Sequence, residues 1–130
     1  LYMSCAGGID VNVSFRYKEE PFQLDEEVAV RVVLGGLHGG HSGVDINLGR
    51  MNANKELFRF LKEVVAEYGA RLAYYNGGTL RNAIPREAEA VVLVPAGRSE
   101  RVVDALKHFE QVVVAEFSGI EDSIALAAEP

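Results

Sequence analysis

Two segments of this chain place their apolar residues at helical spacing, and each carries a single stripe. In the first, Leu57, Leu61, Val64, Val65 and Tyr68 share a side, while Lys55, Glu56, Arg59, Lys62, Glu63 and Glu67 occupy the remainder. In the second, Val102, Val103, Leu106, Phe109, Val113 and Phe117 form the apolar side, with Asp104, Lys107, His108 and Gln111 turned outward. A helix with one stripe buries it against one surface. Two such helices suit one face of an antiparallel sheet, leaving the other face or an edge free for another domain or subunit.

The strands of that sheet are legible as period-two runs. From Ile9, the apolar Val11, Val13, Phe15 and Tyr17 alternate with Asn12, Ser14, Arg16 and Lys18, until Glu19, Glu20 and Pro21 break the pattern. From Glu26 a second run sets Val28, Val30, Val32 and Leu34 against Glu27, Ala29, Arg31 and Val33. The two are expected to pair antiparallel through the loop between them. Asp45 or Asn47 is the expected N-cap of a helix over residues 49–68, stopped by Gly69. Strands follow at 71–75 and 88–94, separated by a turn at Asn76-Gly77-Gly78. Ser99 is the expected cap of the second helix, Ser118-Gly119 its end, and residues 120–128 the last strand. After residue 26 the order is strand, helix, strand, strand, helix, strand. This predicts an α+β, ferredoxin-like two-layer sandwich, with an antiparallel sheet and two helices on one face.

With 130 residues, 48% hydrophobic and 25% charged, the chain fits one globular domain. A net charge of -6 without a basic cluster argues against nucleic acid, and no apolar run approaches the roughly 20 residues of a membrane span. A lone cysteine, Cys5, excludes an internal disulfide and a cysteine-built zinc site, and makes the cytoplasm the default location. An opening without initiator Met and an end on Ala-Glu-Pro are read as an excised piece of a longer protein.

Chemistry concentrates in residues 35–43, Gly-Gly-Leu-His-Gly-Gly-His-Ser-Gly, between an expected strand and an expected helix. The glycines could serve only as a flexible connection. A phosphate site at the helix start lacks the spacing and lysine of a P-loop, and Gly-x-Gly-x-x-Gly is absent. His38 and His41 as metal ligands lack a third ligand and a carboxylate base. His41 and Ser42 are adjacent, and adjacent residues rarely face each other as nucleophile and base. What remains is a histidine whose imidazole N–H can reach a substrate oxygen, as electrophile or oxyanion donor. In a second polar segment, residues 77–87, Asn82 lies between a turn and Pro85. Its amide could bond a substrate or satisfy its own turn, and spacing alone favours the turn. His108 takes no role.

Cys5-Ala-Gly-Gly, Gly36-Leu-His-Gly-Gly-His-Ser-Gly-Val-Asp-Ile, Gly49-Arg-Met-Asn-Ala-Asn-Lys and Gly78-Thr-Leu-Arg-Asn-Ala-Ile-Pro-Arg-Glu-Ala together closely resemble the bacterial aminoacylhistidine (Xaa-His) dipeptidases, the peptidase D branch of the di-zinc metallopeptidases. The resemblance runs in register from Cys5 to about Pro95; beyond it, only the order of elements matches. It implies a cytoplasmic homodimeric hydrolase of dipeptides, with a catalytic domain holding two zinc ions per subunit and an inserted lid, or dimerisation, domain of ferredoxin-like topology. Residues 1–8 would be the end of a catalytic-domain strand and the hinge, and residues 9–130 the lid, lacking its later segment with the arginine for the substrate carboxylate. By the same resemblance, His41 is the lid histidine that helps hold the oxyanion, in several relatives from the partner subunit, and Asn82 contacts bound substrate. Zinc ligands and general base would lie outside the chain, so no zinc and no activity are expected of it alone, and His38 inherits no role. The alternative is a ferredoxin-like small-molecule-binding or protein-interaction module whose glycine loop holds an anion.

Overall fold

The central strand is β1, Glu27–Gly35, whose alternation turns Val30, Val32 and Leu34 inward to 2% exposure or less. A computed structural model describes residues 7–23 and 25–129; most of the expected hinge, residues 1–6 with Cys5, lies outside the described residues. β1 pairs antiparallel with β5, Ala88–Pro95, on one side and with β6, Ala125–Glu129, on the other. β3, Arg71–Gly77, pairs antiparallel with the far edge of β5 and gives the order β3-β5-β1-β6. Two-residue strands β2, Gly40–His41, and β4, Ala83–Ile84, form a separate small ladder. The helices are α1, Ala53–Tyr68, and α2, Ser99–Glu116.

Both helices bury their stripes in one core with the inward residues of β1 and β5, so the expected two-layer α+β sandwich is the fold observed. Leu57, Phe60, Leu61 and Val64 of α1 meet Val102, Leu106, Phe109 and Val113 of α2 within it. The Phe60 and Phe109 rings lie 5.4 Å apart between centroids. Arg59 bridges the helices over the top, with bonds of 2.6 and 2.9 Å to Glu116 and one of 3.2 Å to Glu56. That pairing explains why Glu56, expected outward, is only 5% exposed. Val65, expected in the stripe, is turned out, and Phe60 takes the inward position. On the opposite face of the sheet Arg31 binds Glu89 at 2.6 Å and Glu129 at 3.3 Å.

The expected strand over residues 9–18 is absent, and so is its pairing with β1. Residues 7–23 hold no strand, and the neighbours of β1 are β5 and β6 instead. Its alternating apolar residues face outward, from Tyr17 at 77% to Ile9 at 88% with Val11 at 75%. The end of that segment is held by Arg71, which reaches Glu20 at 2.8 Å, the Pro21 carbonyl at 3.1 Å and Glu27 at 2.7 Å. The helix caps also differ. Asp45 and Asn47 border or lie in a 3-10 turn, Ile46–Leu48, closed by left-handed Gly49, and Asn52 caps α1 by accepting from the Lys55 N–H at 3.1 Å. Ser99 caps nothing; its hydroxyl donates to the Ala96 carbonyl, and Arg98 holds the N-cap position. Gly77, expected in a turn, is the last residue of β3.

Phe60→Ala should cost about 3–5 kcal/mol in urea unfolding, whereas Phe58→Ala, at a half-exposed ring, should cost clearly less. Hydrogen bonds from Arg59 hold the Glu116 carboxyl below its ordinary range. Stability from that pair is therefore present above the unfolded carboxylate pKa of about 4.3 and lost as pH falls through the lower folded value. Glu116→Gln should flatten the acid limb of the stability–pH curve there, and an unchanged slope would contradict the pairing.

Candidate functional site

Leu34 of β1 and Ala88 of β5 are register partners, so the loop leaving β1 and the loop entering β5 emerge side by side. The small ladder then joins them, with Gly40 opposite Ile84 and His41 opposite Ala83. One step further, the Ser42 N–H donates to the Asn82 carbonyl at 2.9 Å. The structure thus brings together the two segments singled out in the sequence.

Residues 38–51 form a closed loop around the Asp45 carboxylate. Asp45 accepts the His41 N–H at 2.8 Å, and its own N–H donates back to the His41 carbonyl at 3.0 Å. Arg50 donates to the Gly39 carbonyl at 2.5 Å and lies 3.7 Å from Asp45. Gly40 has φ 144, and a Cβ there would sit 2.4 Å from Arg50 Nη1 and 2.7 Å from Asp45 Oδ2. The positive φ favours glycine at this position, and a side chain there would displace the Arg50 and Asp45 ends that close the loop.

The His41 ring is oriented by its own loop. Its Nδ1 accepts the N–H groups of Gly43 at 3.0 Å and Val44 at 3.2 Å, so the proton of the neutral ring sits on Nε2. The side chain is exposed and presents that Nε2–H as a donor. Asn82 is exposed as well, and its amide makes no hydrogen bond to its own turn among the described residues.

His38 points elsewhere. Its Nδ1 lies 3.0 Å from both the Ile120 carbonyl and Glu121 Oε2, and its Nε2 lies 3.4 Å from Asp122 Oδ1. Both neighbours of Nδ1 are acceptors, so this ring carries its proton on the nitrogen that His41 uses to accept. Among the described residues no group of three or more His, Cys, Asp or Glu could hold a metal ion. A cavity of about 310 Å³ opens between the two loops, lined by His38, Gly40, Thr79, Leu80 and Arg86 among others. Neither His41 nor Asn82 lines it, so it flanks the donor site.

Several supporting residues escaped sequence reasoning. Asn54 accepts from the Tyr75 hydroxyl at 2.8 Å and donates to the Gly77 carbonyl at 3.3 Å, while the Ala53 N–H donates to the Pro85 carbonyl at 2.9 Å. The start of α1 thereby seats the loop that carries Asn82. Burial pushes the Tyr75 hydroxyl above its ordinary pKa. Asp45, read only as a cap, organises the loop; Glu121 has a fully buried side chain and no local signal in its stretch of sequence.

Residues 32–121 match the family described as Peptidase dimerisation domain. Cytosol non-specific dipeptidase of Escherichia coli (strain K12) is 40% identical over 126 residues, 97% of this chain and 26% of that protein. Aminoacylhistidine dipeptidase from Vibrio alginolyticus superposes with a TM-score of 0.82 at 37% identity, over 86% of this chain and 23% of that one. Aminobenzoyl-glutamate utilization protein from Klebsiella pneumoniae superposes with a TM-score of 0.60 at 14% identity, over 80% of this chain and 27% of that one, a likeness of fold. The chain spans about a quarter of the length of these relatives. No helix among the described residues is long and apolar enough to cross a membrane.

Gly40→Ala should destabilise the loop by on the order of 1–3 kcal/mol and speed hydrogen exchange at the His41 amide. Gly97→Ala, where an added Cβ meets nothing within 4 Å, is the control and should change neither.

Proposed function

The chain belongs to the peptidase dimerisation domain family, and from that membership we propose that it is the lid and dimerisation domain of a cytoplasmic, homodimeric Xaa-His dipeptidase. In this reading residues 1–8 lead from a catalytic domain and residues 9–130 form the lid. The observation that carries the reading is the His41 ring: two backbone N–H groups on Nδ1 leave an exposed Nε2–H aimed away from the fold. When an amide carbonyl becomes tetrahedral, its oxygen gains negative charge, and a fixed neutral donor stabilises that charge more than it stabilises the substrate. His41 acts as this donor. Asn82, joined to the same ladder, contacts the bound dipeptide with its free amide.

Zinc enters only through the resemblance. By that resemblance the two ions of the dipeptidase belong to the catalytic domain. This chain's contribution is orientation and charge stabilisation. Val44, Ile46 and Leu48, exposed at 67%, 64% and 48% on the His41 loop, supply an apolar rim suited to closure over that domain.

In the full-length protein His41→Ala should lower kcat by about 10²–10³-fold and leave bound zinc unchanged; unchanged turnover, or loss of zinc, would refute the donor role. Asn82→Ala should raise KM more than it lowers kcat. Mixing His41→Ala with a catalytic-domain mutant should restore activity if the donor crosses the dimer, and no recovery assigns it to its own subunit. A full-length protein that binds anions at the glycine loop yet hydrolyses no dipeptide would favour the binding-module alternative.

A further inference from the structure

The loop bearing His41 begins and ends on one buried carboxylate. Glu121 Oε2 accepts the His38 N–H at 2.8 Å, and Oε1 accepts the Met51 N–H at 3.0 Å. These residues are the two feet of the loop, one just before Gly39 and one just before the Asn52 cap of α1. The His38 ring adds a third contact, with Nδ1 3.0 Å from Oε2. The Glu121 side chain has no exposed surface, its bond from the Met51 N–H is buried and that from the His38 N–H part-buried, whereas the loop's internal bond from the His41 N–H is exposed. An unsatisfied buried donor costs more than a lost surface bond, so the loop's attachment is concentrated at Glu121.

Glu121 is itself fixed from below. Its N–H and that of Ile120 donate to the Phe117 carbonyl at 3.0 and 2.9 Å, seating the turn on the end of α2. On its other side the Ser123 carbonyl presses against Gly36, where a Cβ would lie 1.9 Å from the oxygen and φ is 76. The turn is therefore wedged between the end of α2 and the loop's entry.

We propose that Glu121 is a positioning residue for His41: one buried carboxylate closes both feet of the loop, and so keeps the Gly43 and Val44 N–H groups on Nδ1 of the ring, which leaves its Nε2–H free. This rests on the donor role given to His41 above. Asp45 and Arg50 shape the interior of the loop, and Glu121 sets where the whole loop stands relative to the sheet. Two acceptor oxygens are essential to this geometry. A glutamine keeps the shape but turns one oxygen into a donor facing a backbone N–H, so Glu121→Gln breaks one foot and spares the other.

The test has two arms. In this chain, nitrogen NMR of the imidazoles should show His41 in a single Nε2–H form, and Glu121→Gln should replace it with a mixture of tautomers. In the full-length enzyme, Glu121→Gln should lower kcat at least about tenfold with KM within about threefold, and adding it to His41→Ala should cost nothing further. Glu110→Ala, which loses a 3.2 Å bond from the Leu126 N–H, is the control for mere destabilisation and should leave kcat unchanged. An unaltered His41 tautomer in Glu121→Gln, or an additive loss in the double mutant, would overturn the proposal. If His41→Ala alone leaves turnover unchanged, the donor reading fails, and the NMR arm still decides whether Glu121 positions the ring. Should Glu121→Gln fold poorly, Glu121→Asp, shorter by one methylene, reads the same two arms.

Discussion

Everything at the site depends on β1 having both of its edges filled. β5 pairs along Glu27 to Leu34 and β6 along Arg31 to Gly35, so the strand is fixed from two sides as well as by its buried valines. The glycine loop leaves directly from its end, and the Asn82 loop runs directly into β5, its neighbour. Antiparallel pairing sets those two ends together at Leu34 and Ala88. The meeting of His41 and Asn82 is thus a consequence of strand order. Loops launched from central strands hold their side chains more closely than loops between mobile elements.

The same loop holds two histidines with opposite proton arrangements, and the backbone decides which is which. His41 faces two N–H groups and becomes an acceptor at Nδ1; His38 faces a carbonyl and a carboxylate and becomes a donor there. Only the first arrangement leaves an N–H without a partner among the described residues, since His38 Nε2 lies 3.4 Å from Asp122. The chemical difference between identical side chains three residues apart comes from the glycine-permitted path between them, through Gly39 at φ 63 and Gly40 at φ 144.

Sequence periodicity carried the architecture well because burial enforces it. The stripes of α1 and α2 and the alternation of β1 and β5 had to match the sheet they cover, and the α+β sandwich follows. The same logic misled at residues 9–18, where alternation was equally clean but β5 and β6, not this segment, lie beside β1. Periodicity reports which face is apolar; it does not report whether a partner exists. Caps were misread for a related reason, since Asn52 and Asp45 are both good capping residues and only the position of Gly49 decides between them. The sequence singled out His41 and Asn82 from residue type beside glycine and proline, and the structure brings their two loops together. Glu121 was not singled out, because its two bonds run 83 and 70 residues back along the chain, and nothing local distinguishes it from a solvent-facing acid.

A hydrogen-bond donor on an open surface has little catalytic value, because bulk water screens charge and competes for the same N–H. His41 is exposed in this chain, as are Val44, Ile46 and Leu48 around it. The oxyanion role proposed for His41 therefore requires a second surface that covers the loop and excludes water when substrate is bound. An apolar rim surrounding one oriented N–H meets that requirement: closure buries the valine, isoleucine and leucine, lowers the local dielectric, and strengthens the single polar contact left inside. The donor and its rim are then one device, and neither is useful without the other.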